Sequence, residues 1–111
     1  AIPAYSKYQA KAKVTAGLAE ISALKVNFED VLNQGVNPDL TNVGGTTTTT
    51  NCTMSASGTA SDGKGTIGCT ILNAPAPVLS KTITLVRDPT TGWSCTTKVA
   101  AEYAPGGCVA N

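Results

Sequence analysis

The chain has 111 residues, 14% of them charged, a net charge of +1 and no histidine. That describes one small domain with no electrostatic sign of a nucleic-acid or anionic-membrane partner, and it removes Ser–His and Cys–His catalysis. Aromatics make up only 5% while Thr, Ser, Ala and Gly abound, which favours a light β-rich fold with long loops over a dense enzyme core. The first third, Ala1 to Gly35, reads as one long helix. From Val14 onward the apolar residues fall at Val14, Leu18, Ile21, Leu24, Phe28 and Val31/Leu32, steps of three and four that make one core-facing stripe. Before Val14 the pattern changes: Tyr5 and Tyr8 share a face, alanines fill much of the rest, and Lys7, Lys11 and Lys13 arrive with no acid among them. Cations in early turns oppose the helix dipole, and no Ser, Thr, Asp or Asn cap precedes Tyr5. The expectation is a helix that begins further upstream, with Pro3 as a bend within it.

The helix should stop at Gln34-Gly35, where Gly provides the left-handed cap and Pro38 follows. Residues 36–50 form the loop from helix to sheet. Within it Thr46, Thr47, Thr48, Thr49 and Thr50 either extend the first strand or stay as an exposed polar segment, a candidate for O-glycosylation. Asn51-Cys52-Thr53 fits an N-glycosylation sequon, discounted because Cys52 is expected to be bridged. A four-stranded sheet is expected over 51–98. In the first strand Cys52, Met54 and Ala56 alternate with Thr53 and Ser55; in the second, Ile67, Cys69 and Ile71 alternate with Gly68 and Thr70. A tight type I′ turn at Asp62-Gly63 would set Cys52 opposite Asn73 and Cys69 opposite Ala56, so pairing of those cysteines calls for a wider loop, which is the expectation. Asn73 to Leu79 carries Pro75 and Pro77 and is a connector. Lys81 to Arg87 is the clearest strand, and the turn Asp88 to Gly92 leads to a fourth with Trp93, Cys95 and Thr97 on one face. The fold class is α+β: a long N-terminal helix on a four-stranded antiparallel sheet. Its expected core sets Val14, Leu18, Ile21, Leu24, Phe28 and Leu32 against Met54, Ile67, Ile71, Ile83, Leu85 and Trp93.

Cys52, Cys69, Cys95 and Cys108 are separated by 16, 25 and 12 residues, without the paired spacing of a zinc site. Two disulfides and a compartment outside the cytoplasm follow; the three possible pairings stay open on this reading. The seven acids show no glycosidase pairing, and Glu29 and Asp30 read as a solvated face. No catalytic residue, metal or cofactor is expected, and the chain is not read as an enzyme.

Two stretches carry a family resemblance. Ala1 to Tyr8, AIPAYSKY, resembles the end of the N-terminal segment of bacterial type IV pilins (type IVa class), where an apolar helix runs into an AIPxYxxY sequence. Trp93-Ser94-Cys95, followed by Tyr103, Pro105 and Cys108, is similar to their C-terminal disulfide-bounded loop. Both ends match, in order, around a helix and a sheet. The resemblance implies the pairing Cys95–Cys108, which leaves Cys52–Cys69. It also implies an upstream apolar segment with a processing and methylation site, inner-membrane anchoring before assembly, handling by pilus assembly machinery, and a place among other pilin subunits in an extracellular fibre. Without that segment the chain should be monomeric. The implied function is a structural pilus subunit acting in adhesion and twitching motility, and in DNA uptake or phage attachment. Host glycans or surfaces would meet the loop Thr96, Thr97, Lys98, Val99, Ala100, Ala101, Glu102, Tyr103, Ala104, Pro105, Gly106 and Gly107, with Lys98, Glu102 and Tyr103 the chief side-chain contacts. Alternatives are a minor pilin or pseudopilin, or a secreted disulfide-stabilised glycan-binding or inhibitory module.

Overall fold

A computed structural model describes residues 5–111 with their side chains and carries the helix backbone back to Ile2. The expected continuation of the helix upstream lies outside the described residues, and the helical backbone runs through Pro3. The order is α1 (Ile2–Ser22), α2 (Lys25–Asn33), β1 (Cys52–Thr59), β2 (Lys64–Ile71), β3 (Thr82–Asp88), β4 (Gly92–Thr97), a 3₁₀ turn (Ala101–Tyr103) and β5 (Cys108–Ala110). The helical layer packs on one face of a five-stranded sheet of order β1-β2-β3-β4-β5.

The helix differs from the single rod read in the sequence, because a turn at Ala23-Leu24 separates α1 from α2. There the Leu24 amide donates to the Ile21 carbonyl, three residues back, at 3.1 Å, the tighter 3₁₀ pattern. The spacing of the buried stripe supplies a reason. Ala10, Val14, Ile21, Leu24, Phe28 and Val31 are all buried, with Gly17 between Val14 and Ile21, so the stripe advances seven residues at a time. A straight α-helix slips about 20° per heptad against such a repeat, hence about 60° over three. One turn of three residues at about 120° each instead of about 100° restores that amount. The tightened turn keeps Leu24, Phe28 and Val31 over the sheet.

The end of α2 follows the expectation. Gly35 has φ 76°, its amide donates to Leu32, and the Val36 amide donates to Val31, the bond pair of a Schellman cap.

β1 to β4 are antiparallel neighbours. The β1–β2 loop is wider than a two-residue turn, as expected: Thr59 pairs with Lys64 and Cys52 with Ile71. Even so, Cys52 and Cys69 are diagonal rather than opposed, since Cys69 faces Met54; their Cα atoms lie 5.1 Å apart and the bridge spans the diagonal. The sheet carries one strand more than expected. After Gly106-Gly107 the chain returns beside β4, and β5 runs parallel to it with Cys95 paired to Cys108. Three residues are too few to show alternation, so the sequence pattern could not reveal β5.

β1, β2 and β3 turn apolar alternates to the helix, so Met54, Ile67, Ile71, Ile83 and Leu85 form the floor of the core. Leu18, Leu32 and Trp93, expected inside, are partly buried against its rim. Val43, Val78 and Val99 complete it from loops. The other face of the sheet presents mostly Thr, Ser, Gly and Val, with Lys64 and Asp88 as the charged side chains at the end near the β1–β2 and β3–β4 turns. α1 overhangs the core: Tyr5 to Gln9 are exposed and Ala10 is the first buried side chain among the described residues.

Two close approaches seat the helices. A Cβ on Gly17 would stand 2.9 Å from Cys69 Sγ, 3.3 Å from Ile83 Cδ1 and 3.4 Å from Cys52 Sγ, so only Gly lets α1 lie directly on the Cys52–Cys69 bridge. Further along, the Phe28 ring occupies a notch over Gly58 and Gly65, which face each other across β1 and β2.

Candidate functional site

Two surfaces carry the residues singled out in the sequence. The first is the loop closed by Cys95–Cys108, whose Cα atoms are 4.5 Å apart. The loop starts inside the protein. Thr97 is 2% exposed because its hydroxyl donates to the Thr82 carbonyl at 2.8 Å and accepts from the Val99 amide at 3.2 Å, and Val99 is 1% exposed. Neither can meet a partner. Their burial forces the intervening Lys98 outward. The 3₁₀ turn that follows leaves Ala100, Ala101 and Glu102 exposed and sets Tyr103 and Ala104 against the core. Burial and the adjacent Glu102 carboxylate raise the Tyr103 phenol above its ordinary value. Pro105 accepts from the Cys108 amide at 3.1 Å, with Gly107 at φ 87° making the turn back into β5; a left-handed residue there calls for Gly.

Of the twelve residues predicted to form the contact loop, the structure thus brings to the surface Lys98, Ala100, Ala101, Glu102, Gly106 and Gly107, with Thr96, Tyr103, Ala104 and Pro105 half-buried. The rim is small-residued, so backbone groups are reachable. Lys7 reaches Glu102 at 3.8 Å; with both side chains about half exposed, the pair contributes little.

The second surface is the threonine run. It folds back along the free edge of β1: the Met54 amide donates to the Thr47 carbonyl and the Thr49 amide to the Cys52 carbonyl, both at 2.8 Å, with Thr48 opposite Thr53. Asp39 bridges Ser57 on the same edge. Both sequence alternatives are therefore met in part, since the run pairs with β1 and its side chains remain outside. The edge is blunted against pairing with other chains. Thr46, Thr47, Thr48 and Thr50 are exposed, while the Thr49 hydroxyl accepts from the Cys52 and Asn51 amides at 2.9 and 3.2 Å.

Asn51 is the residue sequence reasoning passed over here. Its side chain accepts from Lys13 Nζ and donates to Glu20 Oε2, both at 2.6 Å, strapping the start of β1 to α1. Lys13 and Glu20 are seven apart on a helix, a spacing that could have flagged a shared partner. A glycan on Asn51 would displace both bonds.

The solvated-face reading of Glu29 and Asp30 needs correction for one of them. Asp30 is exposed and accepts from Gln34 Nε2 at 3.3 Å. Glu29 instead receives Arg87 Nε and, at 3.1 Å, Arg87 Nη2, and accepts from Trp93 Nε1 at 3.0 Å. Arg87 also donates to the Gly63 carbonyl. The Arg87 hydrogen bonds hold the Glu29 carboxyl below its ordinary range, and Glu29 raises Arg87 in turn. The Trp93 ring meets Phe28 edge-on at 5.2 Å, with Lys25 Nζ 6.0 Å from its centroid. This cluster closes the far end of the domain; it is an ion-pair staple, with no nucleophile in it. Among the described residues no group of His, Cys, Asp or Glu is placed to hold a metal, and no helix is long and apolar enough to cross a membrane.

A long helix on an antiparallel-rich sheet, closed by a C-terminal disulfide, agrees with what the chain resembles elsewhere. A solved structure described as a Cs1 pilin chimera superposes with a TM-score of 0.78 at 22% identity, over 93% of this chain and 98% of that one, which is likeness of fold. The family model for pilins, the subunits of bacterial filaments, matches residues 10–109. The match takes in the helical stripe, both disulfides and all but the last residue of β5, and the chain belongs to the pilin family.

Proposed function

We propose that this pilus subunit serves surface adhesion and twitching motility through fibres that display its disulfide-bounded C-terminal loop. The observation that carries the reading is the rim formed by Lys98, Ala100 to Glu102 and Gly106-Gly107, held outward by the burial of Thr97 and Val99 and closed by Cys95–Cys108. A covalently closed loop loses less conformational entropy on binding, so its exposed backbone groups are ready acceptors and donors for a glycan. Sugar hydroxyls on host glycans are the class of ligand that suits a small-residue rim with one cation.

The reading also places an apolar helical segment ahead of Ala1, carrying the processing and methylation site, anchoring the subunit in the inner membrane and delivering it to the assembly machinery. It rests on the resemblance of AIPAYSKY and on family membership. Exposed Thr46, Thr47, Thr48 and Thr50 are proposed as O-glycosylation acceptors; Thr49, whose hydroxyl is engaged, is not. No observation favours DNA uptake or phage attachment over these roles.

A glycan-array screen of the domain tests the loop. Binding that is kept by the parent and lost in Cys95→Ser/Cys108→Ser and in Ala101→Asp/Gly106→Asp supports the reading. Binding unaffected by both pairs would remove the loop from it.

A further inference from the structure

The side-chain charges of this domain are sorted along its length. At the end where α1 overhangs the core lie Lys7, Lys11, Lys13, Lys81 and Lys98, with Glu20 and Glu102 as the acids. Lys81 and Lys98 belong to this end because they flank the Thr82–Thr97 margin of the sheet, where the Lys98 amide donates to Thr82. At the other end lie Glu29, Asp30, Asp39, Asp62 and Asp88, with Lys25, Lys64 and Arg87 as the cations. Asp62 and Asp88 sit in the β1–β2 and β3–β4 turns, and Arg87 is taken up by Glu29. The outer face of the sheet between them carries no charge.

The separation is large on the scale that matters. From Lys13 to Asp30 the helical rise alone is about 25 Å, against a screening length of about 8 Å at physiological ionic strength. The two ends therefore act as independent patches of opposite sign on a body 52 Å long. A surface patch with its complement on the far end of the same chain suits a heterologous, head-to-tail contact, which extends into a filament rather than closing.

We propose that the basic end of one copy docks against the acidic end of another, and that this contact fixes the order of domains along the fibre. The partner is a second copy of this chain, argued from the complementary charge; the inference rests on the subunit's place in a pilus. Electrostatic matching of this kind contributes register and association rate more than affinity. The threonine run lies outside this contact, whereas the disulfide loop adjoins it through Lys98 and Glu102.

The test uses cells expressing the complete gene, with sheared fibre measured by mass. Lys81→Glu/Lys98→Glu reverses the basic end at exposed positions, and Asp30→Lys/Gln34→Lys reverses the acidic end on the exposed side of α2. Each pair alone should lower fibre yield roughly fivefold or more, and the four changes together should bring it back to within about twofold of the parent, as like-charge mismatch is relieved. Fibres at parental yield from either pair alone overturn the proposal. So does a loss that the fourfold variant fails to restore; binding of the parent but not Lys81→Glu/Lys98→Glu to phosphatidylglycerol vesicles would then assign the basic end to a membrane surface. Absence of fibres from the parent itself would instead strike the pilus reading beneath the proposal. Thermal melts of all variants within a few degrees of the parent exclude misfolding as the cause.

Discussion

Replacing Gly17 measures how the helix is held to the sheet. A β-carbon at this position would stand 2.9 Å from Cys69 Sγ, against an optimal separation of about 3.5–4.0 Å for carbon contacts. A disulfide sulfur cannot swing aside, so α1 must lift by roughly 0.5–1 Å, and a gap of that size forfeits a quarter to a half of each dispersion contact it opens. Val14 and Ile21, both fully buried, flank the site and would feel it most. Overpacking of this kind costs about 1–3 kcal/mol, while Gly→Ala within a helix returns about 1 kcal/mol. Gly17→Ala should therefore lose about 0–2 kcal/mol net, and Gly17→Val, with two more methyls and poorer helix propensity, about 2–3 kcal/mol or more. Urea unfolding followed by the fluorescence of Trp93, the only tryptophan, reads both. With a slope of about 2 kcal/mol per molar, the Gly17→Val midpoint should fall by about 1 M. Ala19→Gly, at an exposed position of the same helix, gives propensity alone and should fall by about half that or less. A Gly17→Val midpoint within about 0.3 M of the parent would show that the helix does not rest on the bridge as described.

Acidification should weaken the domain through Glu29. Its carboxyl is held below the ordinary 4.5 by Arg87, so the unfolded chain takes up the proton first, and stability intact above that value is lost as the pH falls through the folded value. Glu29→Gln should flatten the fall of the urea midpoint below pH 4.5, in part only, because Asp88 is lowered too by the Thr90 and Thr91 amides; an unchanged slope would discharge Glu29 from this role. Asn51→Ala removes two side-chain bonds to α1 and should cost about 1–2 kcal/mol, with faster proteolytic cutting near Thr49 as the second readout. Parental cleavage kinetics would mean that the strap does not hold the run. Cys95→Ser/Cys108→Ser opens a closure of 13 residues and should cost about 3 kcal/mol, with amide exchange at Val109 and Ala110 rising to that of an unpaired chain. Continued protection there would show that β5 stands without the bridge.

What could be read in advance follows from how far each signal reaches along the chain. The helical stripe, the Gly35 cap and the alternation in β1 to β4 are local patterns, and each stands where the spacing put it. The break at Leu24 was not legible because no Pro or Gly marks it; it comes from keeping a seven-residue repeat over the sheet. β5 was hidden by its brevity, and it forms because the disulfide and the Gly106-Gly107 turn return the chain to β4. The Cys95–Cys108 bridge closes the loop where the resemblance implied, but alternation continuing past Cys95 puts Thr97 inside, and Val99 follows through its bond to the Thr97 hydroxyl. Glu29, Arg87 and Trp93 lie 58 and 64 residues apart, and only the folded register of β3 and β4 joins them. Gly17 carried a readable cue, a small residue in the centre of an apolar stripe, which marks a close approach.

The account as a whole rests on this chain being a polymerising subunit. Immunogold labelling of sheared surface fibres, with antibody raised against the 111-residue domain and cells expressing the complete gene, tests it directly. Regular decoration along the full length of the fibres is the expected result. Label confined to soluble periplasmic material, with fibres unmarked, would contradict it.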